Sequence, residues 1–221
     1  MTFSLGIAQA QQIDVIFVKG SVIVKNENKK PRLLNKGDSI GVGARIQVQE
    51  NGLVVLKETD GSTVKLEGGT LFEVTTLQEG QEGEEQKDFS LYSLARGAAF
   101  FFTPKNEDGS EKMRVRTKST SFAVRGTEFF IAYGEGEGRE NDIWMCVRTG
   151  LVESLSAKSK KGIVVKANEG IQVSSDGEIS PPKFLPWTSK LNWNNDPEAG
   201  ELENRVSIEE AYASPLEMDF D

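Results

Sequence analysis

The chain has 221 residues, 37% hydrophobic and 27% charged, enough apolar side chain for one well-buried domain. A formal charge of −8 disfavours nucleic acid and anionic membrane surfaces as partners, because affinity for phosphate comes from Lys and Arg displacing counterions. The chain has no histidine and one cysteine, Cys146, which excludes histidine-activated nucleophiles, an intrachain disulfide and a thiolate metal cluster.

Met1–Ala10 is mildly apolar and ends Ala8-Gln9-Ala10, which matches the tail of a secretory signal peptide with an A-x-A cleavage site. The positive start is missing and the apolar run is short, so these residues read as the remnant of a longer leader, the alternative being a frayed terminus. No apolar run is long enough to span a bilayer as a helix.

From Ile13 the chain reads as short strands. Ile13–Val18 and Ser21–Lys25 flank Lys19-Gly20, and Leu33–Val48 continues in short pieces. Asn51-Gly52 predicts a hairpin, and Asp60-Gly61 predicts a tight turn before Val64 and Leu66. Leu71–Val74 is a further strand. Gln78–Asp88 has no apolar side chain and reads as a mobile acidic loop. Phe89–Leu94 and Ala98–Phe102 restart the strand pattern, and Pro104–Lys112 reads as a polar hairpin loop with Asp108-Gly109 at its tip.

Arg114–Tyr133 carries the densest apolar signal. Val115 and Thr117 alternate with Arg114, Arg116 and Lys118, Phe122 and Val124 repeat the pattern, and Phe129, Ile131 and Tyr133 alternate with Phe130 and Ala132. Gly126 interrupts the last two runs, which predicts a bulge or bend. After an acidic loop at 134–142, Ile143–Val147 and Leu151–Leu155 are strands around Thr149-Gly150, and Ile163–Val165, Ile171 and Val173 close the β region. Lys19-Gly20, Arg96-Gly97, Thr149-Gly150 and Glu169-Gly170 each put a polar residue and a glycine ahead of a strand, an irregular recurrence that predicts similar strand-bend-strand corners.

Pro181, Pro182, Pro186 and Pro197 break regular structure in the tail, yet Phe184, Leu185, Trp187, Leu191 and Trp193 are apolar. An extended strap over the β domain is expected, with docking onto another protein as the alternative. Glu198–Ala213 could form a short helix, and Ser214–Asp221 is an acidic end.

Five stretches in order resemble the FecR-type domain of bacterial envelope proteins: Val18-Lys-Gly-Ser-Val, Lys36-Gly-Asp-Ser-Ile-Gly-Val-Gly-Ala-Arg-Ile, Asp60-Gly-Ser-Thr-Val-Lys-Leu, Leu94-Ala-Arg-Gly-Ala-Ala-Phe, and Thr117-Lys-Ser-Thr-Ser-Phe-Ala-Val-Arg-Gly-Thr-Glu-Phe. The resemblance spans about Val15 to Val173. It implies an all-β domain of short antiparallel strands, β-sandwich or β-solenoid-like, over residues 13–180, with 1–10 a leader remnant and 181–221 the strap and acidic tail. It also implies a periplasmic, non-catalytic protein-interaction or signalling module without cofactors, whose partners are other envelope proteins. In the family this domain is known from membrane-anchored regulators of sigma factors. Here the cytoplasmic sigma-binding segment and the membrane span of that pattern are not seen, so only the periplasmic module carries over.

The matching motif residues are Thr117, Phe122, Val124, Arg125, Gly126, Thr127 and Phe129. Fold maintenance is expected to explain most of them: a bend at Gly126, a backbone group satisfied by Thr127, core filling by Phe129. Arg125, Phe184, Trp187 and Trp193 are the candidate partner contacts. A structural subunit of an envelope assembly, such as a filament sheath, is the second reading. Carbohydrate binding on Trp187 and Trp193 is the third. Carboxylate pairs such as Glu58 and Asp60 read as solvated loops, for acid–base chemistry needs burial to separate their pKa values. Calcium at 134–142 lacks EF-hand spacing, Gly134-x-Gly-x-Gly138 lacks the ending of a phosphate loop, and Cys146 sits in an apolar run as a buried thiol.

Overall fold

The computed structural model describes residues 12–27, 29–75, 90–105, 111–134, 141–158, 160 and 162–204. The leader-like Met1–Ala10, the acidic run Gln78–Asp88, the Asp108-Gly109 tip and residues 205–213 of the expected terminal helix lie outside them. Residues 198–204, the described part of that helix, are turn, bend and irregular chain instead. The cause is local: the Asn192 carboxamide donates to the carbonyls of Glu201 (2.9 Å) and Glu203 (2.8 Å), which holds this segment open.

Alternating apolar and polar residues give β1 (Ile13–Lys19), β2 (Val22–Lys25), β3 (Arg32–Leu33), β4 (Ser39–Ile40), β5 (Arg45–Val48), β6 (Leu53–Glu58), β7 (Thr63–Leu66) and β8 (Leu71–Thr75). They continue as β9 (Ser90–Arg96), β10 (Ala98–Phe102), β11 (Met113–Arg116), β12 (Thr120–Tyr133), β13 (Ile143–Ser156), β14 (Gly162–Lys166), β15 (Glu169–Val173) and β16 (Lys183–Phe184). The helical content of the described residues is one 3-10 turn, Pro186–Lys190.

All sixteen strands belong to one sheet, in the order β3-β2-β5-β8-β9-β11-β12-β10-β7-β6-β1-β4, with β13 beside β12 and carrying β14 and β15. The fold is thus all-β. Two features go beyond short antiparallel strands. The β9–β11 pair is parallel, and β12 and β13 are 14 residues long. Their length lets them serve two regions. The first part of β12 pairs with β11 and the last part of β13, whereas its second part pairs with β10 and the first part of β13. The sheet therefore curls into two limbs joined along β12–β13. One limb holds β3, β2, β5, β8, β9, β11 and β14; the other holds β4, β1, β6, β7, β10, β15 and β16.

The inner faces of both limbs share one core. Phe72 of one limb lies 6.4 Å, centroid to centroid, from Phe101 of the other, which stacks on Phe129 at 4.7 Å. Glu58 corrects the solvated-loop expectation. As the last residue of β6 it falls on the inward side of the alternation, 5% exposed. It accepts hydrogen bonds there from Tyr92 Oη (2.6 Å) and Ser90 Oγ of the opposite limb. A buried carboxylate is tolerated because hydroxyl donors meet it.

Three of the recurring polar-Gly corners are places where the chain crosses between limbs: Gly20 between β1 and β2, Gly97 between β9 and β10, and Gly150 within β13. Gly170 instead lies inside β15, paired with Cys146 and Lys183, and the crossing from β14 is the Ala167-Asn168 turn, where Asn168 has φ +66°. Asn51-Gly52 proves to be such a crossing and not a hairpin. β5 pairs with β2 and β8, while β6 pairs with β1 and β7, so the turn joins unpaired strands. The same correction applies to Pro104–Lys112, since β12 lies between β10 and β11. Asp60-Gly61 does join a paired hairpin, β6–β7.

Candidate functional site

The motif residues build the corner at which β12 and β13 pass from one limb to the other. Phe122, Val124 and Phe129 are fully buried in the shared core. Thr117 closes the turn between β11 and β12, donating from Oγ1 to the Thr120 carbonyl (2.9 Å) and accepting from the Thr120 N–H (3.1 Å). The register of β12 against β13 shifts between Arg125 and Glu128, a bulge centred on Gly126 and Thr127. Gly126 has φ +59°, and a Cβ there would sit 3.0 Å from Lys105 Cα. Gly150 opposite has φ +81°, and its Cβ would fall 2.6 Å from the Gly126 carbonyl oxygen. Both positions thus demand glycine on conformation and on space. Thr127 ties the corner together: its N–H donates to Thr103 Oγ1 (2.9 Å), its carbonyl accepts from the Thr103 N–H (3.0 Å), and its hydroxyl lies 2.9 Å from the Leu151 carbonyl. Arg125 leaves this corner on the outside, exposed, opposite Leu151 on β13.

The two outer faces of the sheet differ. Over the β7–β10 limb runs the strap, from Leu185 to Asn204. Leu191 is buried, and Leu185 and Trp193 pack with it on Phe100, Phe130 and Cys146. Trp193 meets the Phe100 ring edge-on at 5.3 Å and donates from Nε1 to the Thr188 carbonyl (2.7 Å). Leu202 covers Leu53 and Val55. Burial pushes the Cys146 thiol pKa strongly upward, so it stays a protonated, inert group. Phe184, on β16, is 69% exposed; the Trp187 side chain lies outside the described groups.

Lys65 fastens the strap. Its side chain is fully buried, with the ammonium 4.1 Å from the Phe100 ring centroid. It donates to the carbonyls of Asn192 (2.5 Å), Asn194 (2.8 Å) and Leu202 (3.1 Å). Burial pushes its pKa down to about 8, and the same burial pushes neighbouring Glu67 up. Nothing in the sequence marks Lys65 as special: alternation in Thr63–Leu66 points it outward, and only the strap buries it. A hint did exist. In Ala98–Phe102 and Phe129–Ala132 both alternating sets are apolar, which requires cover on both faces.

Beside the strap lies a cleft of about 600 Å³. Glu128 and Arg148 face it as an ion pair (3.3 Å), and the guanidinium lies 5.8 Å from the Trp193 ring centroid. The outer face of the other limb carries no strap among the described residues. Leu151, Leu155 and Val164 are 43%, 44% and 48% exposed there, on the paired strands β13 and β14, near Arg125. Among the described residues no group of three or more His, Cys, Asp or Glu is placed to hold a metal, and no helix is long and apolar enough to cross a membrane. The calcium suggestion at 134–142 falls mostly outside the described residues.

The sequence profile of the FecR family, described as FecR protein, matches residues 44–153. That span contains three of the five motifs in full, including the β12 corner. Two crystal structures of a proposed anti-sigma factor from Parabacteroides distasonis, at 2.50 and 1.65 Å resolution, are similar at 29% identity and a TM-score of 0.49. The similarity covers 63% of this chain and 59% of that one, so the chain spans less than two thirds of its structural relative. No curated protein matches the chain. Through residues 44–153, which build the corner and the strands around it, the chain belongs to the FecR family, a non-catalytic regulatory family.

Proposed function

We propose that the chain is an exported, periplasmic protein-interaction and signalling module that engages another envelope protein through the strap-free outer face, centred on Arg125, Leu151, Leu155 and Val164. The observation that carries this reading is the contrast between the two outer faces. One is sealed by the chain's own strap; the other leaves three aliphatic side chains 43–48% exposed beside an arginine. Aliphatic contact area next to Arg suits a protein interface, where Arg is enriched, and exposed Glu153, between Leu151 and Leu155 and opposite Val164, adds one carboxylate for a partner to meet. Phe184, exposed at the edge of the sheet, is a further contact, whereas Trp193 is engaged in packing the strap. Export is supported by Ala8-Gln9-Ala10 and by the family resemblance.

The test is a pull-down of the full chain from envelope extract, quantified by mass spectrometry, with Leu155→Glu and Arg125→Glu in parallel. A partner recovered at low occupancy by the wild type and lost by both variants is expected. Recovery unchanged in both variants would remove this face from the proposal. Near-stoichiometric recovery of a regular assembly would make the chain a structural subunit instead.

A further inference from the structure

We propose that the cleft between the strap and the sheet binds a neutral oligosaccharide. Its volume, about 600 Å³, falls within the range of roughly 300–1,000 Å³ typical of small-molecule sites. The chemistry around it selects against ions. Glu128 and Arg148 neutralise one another at 3.3 Å, and an anion would have to approach the Glu128 carboxylate. The pair leaves carboxylate acceptors and guanidinium donors side by side, an arrangement that vicinal hydroxyls, each both donor and acceptor, can satisfy. The Asn168 carboxamide lines the same cleft and makes no hydrogen bond among the described residues, so it offers one more donor and one more acceptor.

Trp193 supplies the apolar element. Its ring borders the cleft, and its position is fixed by the Nε1 bond to Thr188 and the edge contact with Phe100. The part of Trp193 that lines the cleft, with the Arg148 guanidinium 5.8 Å from the ring centroid and Phe100 against it, offers an apolar border to the C–H groups of a pyranose ring, while the neighbouring polar groups meet its hydroxyls. The strap wall is set before any ligand arrives. The amide groups of Asn192 and Asn194 are committed to strap carbonyls (2.8–3.1 Å), and Lys65 holds the same segment to the sheet. Little ordering cost then falls on binding. This site is separate from the strap-free face and does not rest on the protein-docking reading.

Isothermal titration of the full chain with chitohexaose, cellohexaose and maltohexaose, with hexagalacturonate as the acidic control, tests the proposal. Binding of at least one neutral hexasaccharide is expected. Asn168→Gly, which keeps the φ of +66° accessible, and Arg148→Met should each weaken it by about tenfold, the scale of one lost polar contact. Leu155→Glu should bind the sugar as wild type does, which separates failure here from failure of the docking face. No binding of any neutral probe, undiminished binding in both cleft variants, or tighter binding of the acidic oligomer would each overturn the inference.

Discussion

The two limbs have the same inner face and opposite outer ones. Inside, each contributes alternate strand residues to one aromatic core. Outside, the strapped limb presents Phe100, Phe130 and Ala132, while the bare limb presents Ser121, Ala123 and Arg125 at the equivalent alternation of the same long strand β12. A strand apolar on both sides cannot be left in water: burying one Phe is worth about 1.5–3 kcal/mol. The strap answers that need within the chain. Among the described residues such cover stands on one limb only, and on the other Leu151, Leu155 and Val164 are left part-exposed.

The corner that creates both limbs is where a substitution should do the most damage. Gly150→Val places a Cβ against the Gly126 carbonyl and Thr127 Oγ1 in a left-handed conformation. It should destabilise by about 3–4 kcal/mol, with Gly126→Val somewhat less but above the roughly 1 kcal/mol centre of point-mutant distributions. Chemical denaturation measures both; a wild-type-like midpoint for either would mean the bulge is dispensable.

A smaller effect should separate the limbs from each other. Lys65→Met leaves three strap carbonyls without their donor, offset in part by removing a buried charge. A loss of about 2 kcal/mol is expected, with amide exchange rising in 186–204 and unchanged in β9 and β11. Equal acceleration in both limbs would show that the strap is not an independent unit.

The same lysine gives a pH signature. Its folded pKa, about 8, lies below the unfolded value of about 10.4. Between those values the unfolded chain holds a proton that the folded chain has released, so stability contributed by this group rises with pH. Relative to Lys65→Met, the wild type should gain stability from pH 8 to about 10.4. A flat difference between the two melting curves over that window would contradict burial by the strap. The smallest effect belongs to the bare face: Leu155→Glu should change stability by less than about 0.5 kcal/mol. Destabilisation beyond that would reveal a cover on this face too.

Strand periodicity, the bend at Gly126, the family motifs and the corner glycines were readable in order along the chain, because each depends on a residue's own backbone preference or on alternation over a few neighbours. Pairing was not. Asn51-Gly52 has hairpin chemistry, yet β5 and β6 found other neighbours, since turn preference fixes a local bend and not which strands it joins. Glu58 has the look of a turn residue, and only the facing limb supplied the hydroxyls that let it be buried. The cleft drew Glu128, Arg148, Asn168 and Trp193 from four separate stretches, so no spacing could announce it.

By itself the sequence determined an all-β chain of the FecR family with a glycine-hinged central strand and an apolar tail. The tertiary structure alone decided that the sheet curls into two limbs, that the tail seals one of them through Lys65, and that no described residue covers the other in the same way. The physical reason is that alternation tells a side chain which way to point but not what will be standing there: an outward lysine is solvated on one limb and buried under three carbonyls on the other.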